Sequence, residues 1–234
     1  KVSTALGLPG APAISETVVI YRDIQIAEYV GAHLHVQHVS VGESAEIIRQ
    51  AKKRGVNVTA EVTPHHLMLT DEAVRTFDTS TKVNPPLRTR KDVDALRKAV
   101  IDGTIDAVAT DHAPHAAEEK EQTFDLAPPG LIGLESAFGV VMKALVANKS
   151  TTLETVLDRL VVSPRRILKL PMNFFTLGEL AEMVILDPKE EWVFKQSQVQ
   201  SRSKNSPFYG SQLLGRVKGV INRSHAVDFG AFPK

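Results

Sequence analysis

An apolar run that breaks into ionisable side chains is the first place in this sequence where chemistry is expected. Ala107–Val108–Ala109–Thr110 is followed directly by Asp111–His112–Ala113–Pro114–His115. The apolar part predicts a short strand on which Ala107, Ala109 and Asp111 share one face and His112 takes the other. Pro114 ends any ladder and leaves His115 on the loop beyond. A carboxylate at the carboxyl end of an apolar strand, with a histidine on the next loop, is where barrel and open α/β enzymes place catalytic groups. An aspartate capping the following turn or helix gives the same pattern, and spacing alone does not separate the two.

Other candidates lie upstream. His33, His35 and His38 fall on one β-type stretch. Regular alternation puts His38 with Leu34 and Val36 and the other two on the opposite face, so the three cannot converge on one ligand. His38, at the carboxyl end, is the best placed as a metal ligand or base. His33 and His35 are expected to pack under helices or to hydrogen-bond. His65 and His66 follow Pro64 and are adjacent, so at most one is expected to face a shared site. Asn84, before Pro85–Pro86, could bind a ligand or cap a turn. Neutral imidazole and carboxylate suit zinc and similar divalent ions. His38 and Asp111 are only two donors, an incomplete metal site by spacing alone.

The elements that must position these residues read as strand and helix in alternation. Residues 1–14 form a Gly/Pro-punctuated loop, and a helix is expected over about 15–30. A strand over 33–39 follows, and Ser40 with Glu43 predicts a capping box for the next helix. Strands are expected over 56–62 and, very short, over 82–84. Thr89 and Asp92 cap another helix, and the strand carrying Asp111 comes next. The alternation argues for parallel βα units, with short apolar strands covered on both faces. The charged 116–129 loop reads either as a solvated surface loop or as a lid over a site. Helices are expected over about 134–147 and 152–161, and a third begins at Ser163–Pro164. After Leu170 isolated strands at 183–187 and 217–221, set in polar loops, predict a small β-rich appendage, with a boundary near 175.

Bulk properties narrow the class. The 234 residues, 43% of them hydrophobic, can bury one large core or two modest ones. A net charge of +1 with no basic run gives no electrostatic case for nucleic acid or an anionic membrane. No apolar run reaches the roughly 18 residues of a membrane helix, and the amino terminus lacks a signal-peptide pattern. Cysteine is absent, which removes disulfides, thiolate metal sites and a cysteine nucleophile, and suits a reducing cytoplasm.

Several stretches together resemble class I dihydroorotases of the amidohydrolase superfamily. They are Gly7–Leu8–Pro9–Gly10 through Glu16 and Arg22–Asp23, then His35–Val36–Gln37–His38–Val39–Ser40 and Glu61–Val62–Thr63–Pro64–His65–His66–Leu67. Lys82–Val83–Asn84–Pro85–Pro86–Leu87–Arg88, Ala109 to His115, Gly130 to Glu135 and Asn205 to Gly210 complete the set, in order and over nearly the whole chain. The Asn-Pro-Pro-Leu-Arg and Thr-Asp-His-Ala-Pro-His pair is specific. Hydantoinases and allantoinases share the architecture but match the motifs less well.

The resemblance implies an α/β fold. Residues 1–175 would be the later strands of a (β/α)8 TIM-type barrel of the metal-dependent hydrolase kind. Residues 176–234 would be the C-terminal part of a small β-sandwich appendage. It implies reversible cyclisation of N-carbamoyl-L-aspartate to L-dihydroorotate in pyrimidine biosynthesis, with one or two zinc ions per complete site. His38 matches a metal ligand, and Asp111 matches the ligand that doubles as proton shuttle. Asn84 and His115 match substrate-contacting positions. Pro129 and Gly130 match a pair against the pyrimidine ring, where the family usually has Phe–Gly, so Pro129 departs from the pattern. Leu177 to Met183 departs from the family's Gly-x-x-Ala-Asp-Leu.

The family's His-x-His strand, bridging carboxylate or carboxylated lysine, further metal histidine and carboxylate-gripping arginine have no counterpart here. The chain is expected to be a fragment, a half whose complement is supplied separately, or a degenerate relative. Retention of His38, Asn84, Asp111 and His115 argues against the last. Alone it is expected to be inactive and to expose strand edges and apolar surface. The implied partner is the small-molecule substrate, with room for a homodimer and for association with aspartate transcarbamoylase. An inactive scaffold for that enzyme and a hydantoinase-type or allantoinase-type amide hydrolase are the alternatives.

Overall fold

A computed structural model describes residues 2–147, 149–173 and 175–230. Its organising element is a three-stranded parallel sheet in the order Leu34–Val36 (β1), Val58–Val62 (β2), Ala107–Val108 (β3). Leu34 pairs with Val58 and Val36 with Ala60, while Glu61 pairs with Ala107 and Val62 with Val108. Val58, Ala60 and Val62 are buried, whereas Thr59 and Glu61 stay half-buried. The expected two-sided cover is therefore one-sided. Three helices, Ile14–Val30 (α2), Gly42–Lys53 (α3) and Arg90–Ile101 (α5), bury Ile24, Ile48, Ala51, Leu96 and Val100 against the even-numbered face of β2. The other face is polar. His33 Nε2 and His35 Nδ1 both meet Thr59 Oγ1, at 2.9 and 2.8 Å, and His35 Nε2 lies 3.2 Å from Glu61. His33 and His35 thus hydrogen-bond, on the face away from the helices.

The helix ends explain why the sheet sits where it does. The Thr89–Asp92 capping box forms as expected. The Ser40–Glu43 box does not: α3 has Val41 at its N-cap and no local side-chain cap. Its amides turn to carboxylates from other helices, Ser40 N and Val41 N to Glu16 Oε1 at 3.1 and 3.0 Å and Gly42 N to Asp92 Oδ1 at 3.0 Å. Gly42 is there for close approach, since a Cβ would lie 2.7 Å from the Ala95 Cβ of α5. At the other end, Lys52 Nζ donates to both Asp106 oxygens at 2.7 Å, and Asp106 accepts the Ala60 amide at 2.8 Å. That carboxylate ties α3, β2 and the entry to β3 together.

Elsewhere the chain departs from local expectation in four places. Residues 2–5 make a helical turn, Val2–Ala5 (α1). No strand forms at 82–84, where Pro85 and Pro86 supply no ladder donors. The 116–129 loop contains Ala117–Lys120 (α6) and is pinned, since Lys120 Nζ donates to the Pro128 and Gly130 carbonyls at 2.9 and 3.0 Å. Beyond Ala137–Leu145 (α7), Leu153–Leu157 (α8), a π-helical turn Asp158–Val162 and Ser163–Ile167 (α9) follow one another without a break. Ser163 is thus no N-cap, and its hydroxyl donates to Asp158 at 2.8 Å.

The C-terminal residues form an antiparallel sheet, Glu182–Val193 (β4), Gln212–Asn222 (β5) and His225–Asp228 (β6). The strands expected as isolated pieces pair with each other, interrupted by irregularities at Ile185/Leu186 and Asp187/Glu191. Leu213 of β5 is fully buried with Val140 of α7, Ile132, Phe194 and Phe208. The outer face of α2 leaves Ile14, Val18, Tyr21 and Tyr29 mostly exposed. Among the described residues no helix is long and apolar enough to cross a membrane.

Because Leu213 joins the antiparallel sheet to α7, Leu213→Ala should destabilise the fold by about 2–5 kcal/mol. Urea unfolding followed by the fluorescence of the one tryptophan, Trp192, and by far-UV ellipticity should give coincident transitions. Separated transitions would mean that the appendage unfolds independently of the helices.

Candidate active site

The three parallel strands end at one edge, and the expected ligands lie just past the two outer ends. The chain leaves β1 and bonds β2 once more, Val39 N to Glu61 O at 2.9 Å, which sets His38 beside the end of β2. On the other flank Ala109 N donates to Val62 O at 3.1 Å, and Asp111 follows two residues later. With strands spaced about 4.8 Å apart, the two outer strands stand roughly 10 Å apart across β2.

Neither residue continues the strand alternation. His38 has φ 35° and Asp111 φ 48°, both in the left-handed region. The face assignments expected for His38, Asp111 and His112 therefore lapse, because β1 stops at Val36 and β3 at Val108. Asp and His enter this region more readily than most residues, yet such positions are held by surrounding structure and cluster at functional sites. His38 Nδ1 is buried without a hydrogen-bond partner, while Asp111 is exposed at the rim.

Between them, the end of β2 runs into Pro64–Met68 (α4), which buries His65 and His66. His66 is fully committed: its Nε2–H donates to Pro85 O at 3.0 Å, and its Nδ1 pairs with Thr63 Oγ1 at 2.8 Å. It thereby joins the end of β2 to the segment that carries Asn84. His65 Nε2 is buried and unpartnered. Burial lowers the pKa of both imidazoles, with nearby His38 adding to the effect: His65 falls well below the usual value and His66 to about 4. Both are neutral at neutral pH.

The expected substrate residues assemble separately from this pair. His115 Nε2–H donates to Pro129 O at 3.0 Å, and its Nδ1 lies 3.4 Å from Glu119. Gly130 has φ 137°, and a Cβ there would sit 2.7 Å from Ala113 Cβ and 2.8 Å from His115 Nε2, so only glycine fits. Its amide donates to Lys82 O at 2.8 Å, two residues before Asn84, which is itself exposed. Sequence reasoning did not single out the residues that hold this cluster. Asn205 Nδ2 donates to Ala113 O and Gly130 O at 3.0 and 3.1 Å, and Ser203 Oγ donates to His115 O at 2.6 Å. The Asn205–Ser206–Pro207 stretch was the only available signal. A cavity of about 710 Å³ opens beside His115, lined also by Lys120, Arg202, Ser203 and Asn205.

The donor chemistry at the strand ends suits a divalent ion: a buried, unpaired imidazole nitrogen on one flank and a carboxylate on the other. The number of donors does not suffice. Among the described residues no three His, Asp or Glu side chains form a group that could hold a metal.

Comparison with known proteins places this geometry in context. No family model matches the chain. It is 47% identical to a dihydroorotase of Syntrophus aciditrophicus over 217 residues, 93% of this chain and 51% of that protein. It is 49% identical to a dihydroorotase of Pelotomaculum thermopropionicum over 214 residues, 92% of this chain and 50% of that protein. The chain spans about half the length of the curated relatives it matches. Among solved structures it superposes on L-hydantoinase (dihydropyrimidinase) from Arthrobacter aurescens with a TM-score of 0.86 and 27% identity, over 93% of this chain and 49% of that one. Dihydropyrimidinase from Brevibacillus agri gives a TM-score of 0.87 at 24% identity, over 94% and 50%, a likeness of fold alone.

The buried histidines make a pH prediction. The unfolded state takes up protons near pH 6.5, whereas folded His66 does so only near 4, so stability falls as pH drops through that window. The loss from His66 amounts to about 3 kcal/mol at full effect. His65 adds to it in the same direction. Urea midpoints measured from pH 7 down to 4.5 should decline, and His66→Gln should flatten the decline. An unchanged slope in that variant would remove His66 from the account.

Proposed function

We propose, from the premise that this chain is homologous to dihydroorotases along nearly its whole length, that it supplies part of a dihydroorotase active site. The reaction is the reversible cyclisation of N-carbamoyl-L-aspartate to L-dihydroorotate. In this reading residues 1–175 are the later part of a (β/α)8 barrel and 176–234 belong to a small β-rich appendage. The carrying observation is that the two residues expected as ligands, His38 and Asp111, are the left-handed residues just beyond the two outer strands of one parallel sheet. Identity of 45–49% to dihydroorotases, against 27% to the hydantoinase, ranks this reading above hydantoin hydrolysis.

His38 and Asp111 would hold zinc as two members of a donor set completed from outside these residues. When bound, such an ion lowers the pKa of water toward neutrality and polarises an amide carbonyl. Asp111 accepts the proton of the attacking water and delivers it to the departing ring nitrogen, acting as general base and then general acid. In the direction of cyclisation the same carboxylate runs the transfers in reverse. The exposed position of Asp111 at the rim leaves it accessible to water and to the ring.

Asn84 and His115 contact the substrate in this reading. The part played by Gly130 is steric, because its amide and carbonyl already serve Lys82, Lys120 and Asn205. Pro129 has no amide proton, and its carbonyl already receives His115. Residues 1–234 alone should turn over little or no dihydroorotate, because they bring too few donors to fix a metal. The full-length protein should contain metal and prefer dihydroorotate to hydantoin. A metal-free full-length protein would favour a scaffold role beside aspartate transcarbamoylase instead.

Asp111→Asn is the direct test. Asparagine also tolerates the left-handed backbone, so the fold and melting temperature should persist. Turnover by the full-length protein should drop by about 10²–10⁴-fold or more. Near-normal turnover would overturn the assignment of the proton shuttle.

A further inference from the structure

Just beyond His38 the Glu16 contacts at the start of α3 belong to a larger buried ionic assembly that the proton-transfer chemistry does not use. Ser40 and Ser44 are fully buried, and the Glu16 and Arg88 side chains are only 12% and 9% exposed. One carboxylate, Glu16, accepts from Ser40 N, Ser40 Oγ, Val41 N and Ser44 Oγ, the last at 2.7 Å. Arg88 approaches the same hydroxyl from the other side, Nε to Ser40 Oγ at 3.0 Å, and reaches Ala11 O with Nη1 at 2.5 Å. Its Nη2 stands 3.8 Å from Glu16. Ser40 is therefore a node between a carboxylate from α2 and a guanidinium from the segment after Pro85–Pro86.

Helix capping alone does not account for this arrangement. A local cap was available in Ser40 with Glu43, and a serine side chain satisfies an N-terminal amide without any buried charge. The chain instead turns the Ser40 hydroxyl away from the helix and brings a carboxylate from another helix to the amides. Stability is a weak explanation too, since a buried ion pair is often no better than apolar side chains of the same volume. What the assembly does achieve is geometric. It fastens residues 40 and 41 to distant elements, beginning two positions after His38, which is held in the left-handed region. Through Arg88, four residues after Asn84, it also joins the His38 turn to the Asn84 segment.

We propose that Glu16 and Arg88 are positioning residues that act through Ser40 to hold His38 in ligand geometry and in register with the Asn84 segment. The proposal rests on the reading of His38 as a metal ligand. Groups hydrogen-bonded directly to a ligating side chain commonly change metal affinity by about 10–100-fold, and this network acts one step further out, through the backbone at residues 40 and 41.

The test uses the protein as expressed from its gene, stripped of metal, in the variants Arg88→Met, Ser40→Ala and Glu16→Gln, with His38→Ala as control. Zinc affinity is measured by competition with a chelating dye at a temperature where far-UV ellipticity reports a folded protein. The rise in melting temperature on adding zinc is measured in parallel. A positioning role predicts zinc binding weakened about 10–100-fold and a smaller zinc-induced rise. Should Arg88→Met fail to fold, Ser40→Ala and Glu16→Gln, which delete or neutralise single groups, carry the comparison. A purely structural role lowers the melting temperature equally with and without zinc and leaves affinity unchanged, which would overturn the proposal. If His38→Ala also binds zinc normally, the reading of His38 fails and the proposal with it. Loss of zinc only in His38→Ala sinks the proposal while leaving that reading intact.

Discussion

The two-faced burial of one five-residue strand governs most of what this chain does. Val58, Ala60 and Val62 are sealed under three helices, so Thr59 and Glu61 must present to the opposite side. Because side chains alternate with period two, a slip of one residue would bury a carboxylate and a hydroxyl and expose three apolar side chains. The register of β1 and β3 on this strand follows, and with it the level at which each strand ends. A parallel sheet then brings His38, the α4 histidines and Asp111 to a common edge, although they are separated by up to 73 residues of sequence (111 minus 38).

At that edge the regular ladder gives way to positions that cost free energy to hold. Left-handed backbone at a non-glycine residue persists only where the surroundings over-determine it. Around His38 those surroundings are the Glu16, Ser40 and Arg88 hydrogen bonds. The His115 loop, whose histidine is not left-handed, is held in a similar way by Asn205, Ser203 and the crowded Gly130. Both loops are held by buried polar groups reached from far along the chain, and burial makes such groups expensive unless each finds its partner. The neutral, buried His65 and His66 belong to the same pattern, with His66 linking the end of β2 to the Asn84 segment.

The apolar surfaces point the same way. The mostly exposed Ile14, Val18, Tyr21 and Tyr29 line a helix whose other face is fully buried in the core. Arg22, Gln25 and Glu28 are exposed on the same helix, so the outer face is mixed rather than wholly apolar. The curated relatives are about twice as long as this chain, which fits a surface of that character.

Local chemistry written in the sequence was enough for the alternation of strand and helix, for the Thr89–Asp92 cap and for an apolar strand delivering Asp111 to a loop. Each depends on residues within one or two turns of each other, and periodicity and capping report on that range. Motif resemblance added the expectation that His38, Asn84, His115, Pro129 and Gly130 serve one site, of which the structure brings His115, Pro129 and Gly130 into contact with one another. Tertiary structure alone decided that Ser40 serves Glu16 and Arg88 rather than Glu43, and that His38 and Asp111 leave the strand alternation. It also decided that His66 is a strut, and that two apparently isolated strands pair with each other and with a third. For Ser40, His66 and the paired strands the reason is the same: the deciding partner lies 19 or more residues away or in another element. A hydroxyl or imidazole with two available partners takes the one that burial brings to it.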